Sequence, residues 1–134
     1  VLSTVENKLL NKYGLKTLSS DEDGYVDVYE GSAYKRDSSY HQGITWPWLL
    51  GLYYDALKST MIIEKNRTKR QELEEKITKL VYTTKETFKA EMFERSSIGT
   101  ISEIYDSTEP YEERGAFAQA WSVAEIFRIV LNKR

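Results

Sequence analysis

The chain has 134 residues, enough for one domain with a real core, and 30% charged against 40% apolar side chains is the balance of a folded, water-exposed protein. Nineteen basic and 21 acidic side chains leave a net charge of −2, with no basic field to gather phosphate backbones, so no nucleic acid partner is expected. The absence of cysteine excludes a disulfide framework and thiolate metal sites, a single histidine (His41) is too few for an ordinary protein-only zinc site, and no apolar run has membrane-spanning length.

In chain order, Leu2, Val5, Leu9 and Tyr13 fall at helical spacing, with Gly14 as a stop, which predicts a first helix over roughly the opening dozen residues. From Gly14 to about Gly43 no helical period survives; the alternation Tyr25-Val26-Asp27-Val28-Tyr29 predicts at most a short strand inside a long loop, and so long a connection is usually functional. A second helix is expected to start at Pro47, with Leu49, Leu50, Tyr53, Tyr54 and Leu57 as its apolar stripe. The third and longest carries Leu73, Ile77, Leu80, Val81, Thr84, Phe88 and Met92 on one face. Its outer, charged face reads as solvated, with Glu72→Lys76 and Glu75→Lys79 as i,i+4 pairs. Ser96 to Gly115 reads as a second irregular stretch. The last helix is expected from about Ala116 to Leu131; it is apolar nearly all round and should be buried on two sides. The fold class is therefore all-α, about four helices joined by long loops, a pattern that suits part of a larger helical array better than a finished bundle.

Aromatic content is the unusual number, 13%, with ten tyrosines and three tryptophans. Tyr and Trp combine an apolar face with a hydrogen-bonding edge, which suits the C–H faces and hydroxyl rims of pyranose rings and equally suits an ordinary core. Three segments concentrate the chemistry. Tyr40-His41-Gln42-Gly43-Ile44-Thr45-Trp46-Pro47-Trp48 sets aromatics, an imidazole and an amide at a helix entrance, either as a pocket for a polyhydroxylated ligand or as a buried Trp-Pro-Trp cluster. In Gly99-Thr100-Ile101-Ser102-Glu103-Ile104-Tyr105-Asp106, Glu103 lies between two isoleucines. It is either a carboxylate in a cavity, able to take a proton from water, or part of a helix or turn cap. Gln119 and Ser122 form a polar pair on one face of an apolar helix, with Trp121 turned away or to the rim; they either face a site or satisfy buried backbone groups.

These segments, with Lys12-Tyr13-Gly14-Leu15 before them and Ala118-Gln119-Ala120-Trp121-Ser122-Val123-Ala124-Glu125 after, occur in the order and spacing of the glycogen debranching enzymes, and the chain resembles the C-terminal amylo-α-1,6-glucosidase region of the bacterial and archaeal type. The resemblance implies the C-terminal part of an (α/α)6 toroid over residues 1–134, an α-glucan substrate and an inverting glycoside hydrolase. It assigns Glu103 as general base, His41, Gln42, Trp46 and Trp48 as pocket lining, and Gln119 and Trp121 to the sugar-binding end. An inverting mechanism also needs a general acid, about 6.5–9.5 Å from the base. The family's acid is an aspartate well upstream, and Asp21, Asp23, Asp27, Asp37 and Asp55 offer no copy of its motif. The expectation is thus half of a catalytic pair, inactive alone and prone to self-associate through uncovered apolar seams.

No cofactor and no metal is expected. With no leader pattern, the cytoplasm is the expected location, and an opening Val1-Leu2-Ser3 without methionine reads as a cut or processed terminus. Two other readings stay open: another toroidal glycosidase of glucoamylase or trehalase type, and a non-catalytic helical module that binds carbohydrate or protein.

Overall fold

A computed structural model describes residues 1–95 and 98–131. Its described residues form five helices: α1 (Leu2–Lys8), α2 (Ala33–Ser39), α3 (Leu49–Ile63), α4 (Arg67–Glu94) and α5 (Ala120–Leu131). They also form four strands of two residues each: β1 (Leu15–Lys16), β2 (Thr45–Trp46), β3 (Ile104–Tyr105) and β4 (Glu113–Arg114). The strands make one antiparallel sheet in the order β1-β2-β3-β4. The all-α expectation is therefore corrected to a mainly helical chain with a small sheet. Two-residue strands carry no sequence period, and their pairing is decided by contacts far apart in the chain.

Helices α3, α4 and α5 pack on one another. Asn66 accepts a hydrogen bond from the Lys69 backbone N–H at 3.1 Å and caps α4, so three residues suffice to turn the chain from α3 into α4. Leu50, Tyr53, Tyr54 and Leu57 of α3 meet Leu80 and Phe88 of α4 and Ile126 and Ile129 of α5 in the main core, which also takes in Tyr13, Leu15, Ile101 and Tyr105. A smaller cluster of Ile44, Trp46 and Ile104 lies at the sheet.

Several element predictions shift. Helix α1 ends at Lys8, and Gly14 serves instead as the close crossing between the stretch before β1 and the next strand, because a Cβ there would overlap the Trp46 carbonyl. Helix α3 starts at Leu49, after a turn over Pro47 and Trp48 in which Pro47 O accepts from Leu50 N at 3.0 Å. Residues 25–29 form no strand; the Tyr29 amide is held by the Asp106 carboxylate (2.8 Å) and the Asp27 carbonyl by the Ser107 amide (2.7 Å). Lys76 pairs across the fold with Glu6 at 2.8 Å, not with Glu72 along its own helix. Ser96, the expected start of the second irregular stretch, lies outside the described residues.

Helix α5 is buried on one side only, through Ser122, Ile126 and Ile129. Phe127 (43% exposed) and Leu131 (65%) lie on the open side, with Phe117 exposed just before the helix, whereas Trp121 (44%) packs against Trp46 and Trp48. Among the described residues no element covers that side, which is why an apolar stripe all round did not translate into burial on two sides. No helix among them is long and apolar enough to cross a membrane.

Candidate functional site

At the sheet end of the molecule, Glu103 stands immediately before β3. Its backbone N–H donates to the Ala116 carbonyl at 2.8 Å, one residue out of the β3–β4 register, with Gly115 as the extra residue. Gly115, at φ +68°, turns the chain there, and a Cβ on it would overlap the Glu103 carboxylate. The half-buried carboxylate then accepts three hydrogen bonds: Oε1 from the Tyr40 hydroxyl at 2.6 Å and the Gln119 side-chain amide at 3.0 Å, Oε2 from the Ala116 backbone N–H at 3.0 Å. Three donors and no acceptor match an ionised carboxylate, which has about four lone-pair positions and here keeps one for a further donor such as water.

Tyr40 organises the aromatic side of this site. It caps the end of α2, and its carbonyl accepts from the Trp46 indole N–H at 3.3 Å. Its ring packs against Trp46 (4.8 Å between centroids), His41 (4.7 Å) and Tyr29 (5.5 Å). Burial and the Glu103 carboxylate push the Tyr40 hydroxyl far above the ordinary tyrosine range, so it stays a proton donor to Glu103.

From there the aromatics run outward in contact. His41 stacks on Trp46 at 5.2 Å and 11°, Trp121 meets Trp46 edge-on at 5.9 Å, and Trp48 stacks on Trp121 at 5.5 Å and 23°. Trp46 is 3% exposed, whereas His41 and Trp121 are open to solvent. A graded aromatic surface with a hydrogen-bonded carboxylate at its inner end presents flat apolar faces beside a group that can take a proton.

The residues singled out from sequence separate into three groups. Glu103 and Gln119 are in direct contact, and His41, Trp46, Trp48 and Trp121 form one aromatic run adjoining them through Tyr40. Gln42 does not join the Glu103 hydrogen-bond set: its carbonyl accepts from Val26 N at 2.6 Å, and its exposed side chain lies near Gly24. Gln119 and Ser122 do not share a role. Gln119 precedes α5 and turns to Glu103, while Ser122 is fully buried with an unpartnered hydroxyl.

Asp106 supports the site from beneath. Its Oδ2 accepts from Arg114 Nε (3.0 Å) and Nη2 (2.8 Å), pinning β3 to β4, while its Oδ1 holds Tyr29. Hydrogen bonding to Asp106 raises the Arg114 pKa. Sequence reasoning left Tyr40, Ala116 and Arg114 out of the site. Tyr40 was the findable one, since it opens the aromatic segment; a backbone N–H such as that of Ala116 leaves no mark in residue types. Among the described residues no group of three or more His, Cys, Asp or Glu side chains is placed to hold a metal ion.

A family model described as amylo-alpha-1,6-glucosidase matches residues 1–128, nearly the whole chain. The chain belongs to that family. It is thereby a glycosidase-related domain, and carbohydrate is the substrate class the family implies. The match includes each residue of the Glu103 site, from Tyr40 to Trp121.

Proposed function

We propose that this chain is the C-terminal part of an (α/α)6-toroid catalytic domain that hydrolyses α-1,6-glucosidic branch linkages in glycogen or a related α-glucan with inversion, in the cytoplasm. Glu103 is the general base that draws a proton from the attacking water, and the general acid lies outside these 134 residues. One observation carries the reading: the Glu103 carboxylate, held by Tyr40, Gln119 and the Ala116 amide, sits at the inner end of the aromatic run formed by His41, Trp46, Trp48 and Trp121. The indole and imidazole faces would receive a pyranose ring, with the base presented at its edge.

A second reading is favoured by the same hydrogen bonds. Glu103 ties together the end of α2, the chain after β4 and the start of α5, so it also qualifies as a structural tie in a non-catalytic carbohydrate-binding module. The parent enzyme carrying Glu103→Gln separates the two. The hydrolase reading expects hydrolysis of a branched α-1,6-linked glucan to fall by about 10²–10⁴-fold with substrate affinity retained. Activity near wild type with lowered thermal stability would leave only the structural tie.

The open side of α5 bears on association. Phe127 and Leu131 join Phe93 and Met92 of α4 around an apolar hollow of about 290 Å³, and this surface supports self-association of the isolated chain. Light scattering is expected to report a dimer or larger species; a monomer at high concentration would rule this out.

A further inference from the structure

Helix α4 buries Leu80, Thr84, Phe88 and a carboxylate, Glu91, which is only 3% exposed. Across from it stands Glu113 of β4, itself 15% exposed. The cation facing this pair among the described residues is Arg95 at the end of α4, its Nε 2.9 Å from Glu113 Oε1 and its Nη1 3.6 Å from Glu91 Oε2. That same Nη1 donates to the Tyr13 hydroxyl at 2.9 Å. Tyr105 of β3 closes the remaining side, its buried hydroxyl without a well-formed hydrogen bond, as is Glu91 Oε2.

Two carboxylates against one guanidinium in a nearly dry site leave an uncompensated negative charge, which is costly unless a proton is taken up. Two carboxyls in contact can share that proton as donor and acceptor, giving the orphaned oxygen a partner. We propose that Glu91 and Glu113 share one proton and act as a positioning clamp, holding the β3–β4 hairpin against α4 and loosening it when the proton is lost. The hairpin is the element that sets the Glu103 carboxylate: Tyr105 pairs with Glu113 in register, and β4 leads directly through Gly115 to Ala116, whose N–H and carbonyl both bind Glu103. The consequence for catalysis rests on the reading of Glu103 as the base, whereas the clamp itself does not.

Burial first, and the neighbouring Glu113 second, push the Glu91 carboxyl up to about 7, with Arg95 opposing them. The folded protein therefore binds a proton that the unfolded chain, with an ordinary carboxyl near 4.5, has released. The stabilisation is complete below the ordinary value and is lost as pH rises through about 7.

Thermal unfolding of the chain from pH 5 to pH 8 tests this. The wild-type melting temperature is expected to drop by roughly 5–10 °C across that range. Glu91→Gln, which keeps the hydrogen bond without titrating, is expected to be flat, and Glu91→Ala to be low throughout. Equal slopes for wild type and Glu91→Gln would overturn the clamp. Should Glu91→Gln not fold, carbon-detected NMR titration of the wild-type glutamate carboxyls gives a direct reading. A midpoint near 7 at this pair supports the shared proton, and midpoints in the ordinary carboxylate range at both residues refute it.

Positioning is read separately, in the parent enzyme. The alkaline limb of its activity profile is expected to move upward in Glu91→Gln, and an unmoved limb would remove the positioning role. Neither the melting nor the NMR measurement involves hydrolysis, so failure of the clamp and failure of the Glu103 assignment are distinguishable.

Discussion

The α3–α4–α5 layer closes on side chains such as Tyr54, Leu57, Phe88 and Ile129, each at most 1% exposed, while the β1–β4 end adds to its smaller apolar cluster a set of hydrogen bonds between residues far apart in sequence. At that end Asn11 donates to Thr45 Oγ1 at 2.7 Å, Thr45 shares a hydrogen bond with Ser107, Ser107 reaches the Gly43 carbonyl, and Tyr40 crosses 63 residues to Glu103. Apolar packing is non-directional and tolerates small shifts in what it buries, whereas a hydrogen bond demands a distance and an angle. The helical layer therefore supplies stability, and the sheet end supplies geometry. A group that must meet a substrate to within a fraction of an ångström belongs in the second region.

That contrast can be broken at either end. Phe88→Ala, which empties the middle of the helical core, is expected to cost about 3–5 kcal/mol and to unfold much of the population, measured by urea denaturation. Tyr40→Phe removes one donor to Glu103 while keeping the ring, and about 1–3 kcal/mol of stability is expected to go with it. If the sheet end is where geometry matters, parent-enzyme activity should suffer from Tyr40→Phe more than its melting temperature does. Loss of stability with full activity would collapse the distinction. Trp121→Ala is the mildest: its ring is 44% exposed and stacked on Trp48, so about 0.5–1.5 kcal/mol of stability is at stake, while binding of a soluble α-glucan, followed by tryptophan fluorescence, should weaken markedly. Unchanged glucan binding would remove the outer aromatic run from the site.

How much of this was legible depends on the range of the signal. The buried face of α4 was, because Leu80, Thr84 and Phe88 repeat at helical spacing over a 28-residue helix. Glu91 continues that same spacing, and reading the charged outer face of α4 as solvated passed over it; a carboxylate in register with a core stripe was the available clue. The seven-residue α2 was missed since its sequence, Ala33-Tyr34-Lys35-Arg36-Asp37-Ser38-Ser39, has no apolar stripe; it is set by the Ser32 cap, which accepts from Lys35 N at 3.3 Å. At the candidate site, residue types alone left Glu103, Gln119 and the tryptophans open and the family resemblance singled them out, while the Ala116 amide and the separation of Gln119 from Ser122 were invisible to both.

By itself, then, the sequence determined the three long helices, the aromatic-rich segment before α3 and the ordered set of motifs that marks the amylo-alpha-1,6-glucosidase family, because each is written in a local period or a contiguous run. Only the tertiary structure decided the four-stranded sheet, the meeting of Tyr40, Glu103, Ala116 and Gln119, and the facing of Glu91 by Glu113. These bring together residues 8 to 63 positions apart, through strands too short to carry a pattern or through a backbone group common to every residue. Such partners are chosen by where the packed helices leave room, and no local signal encodes that.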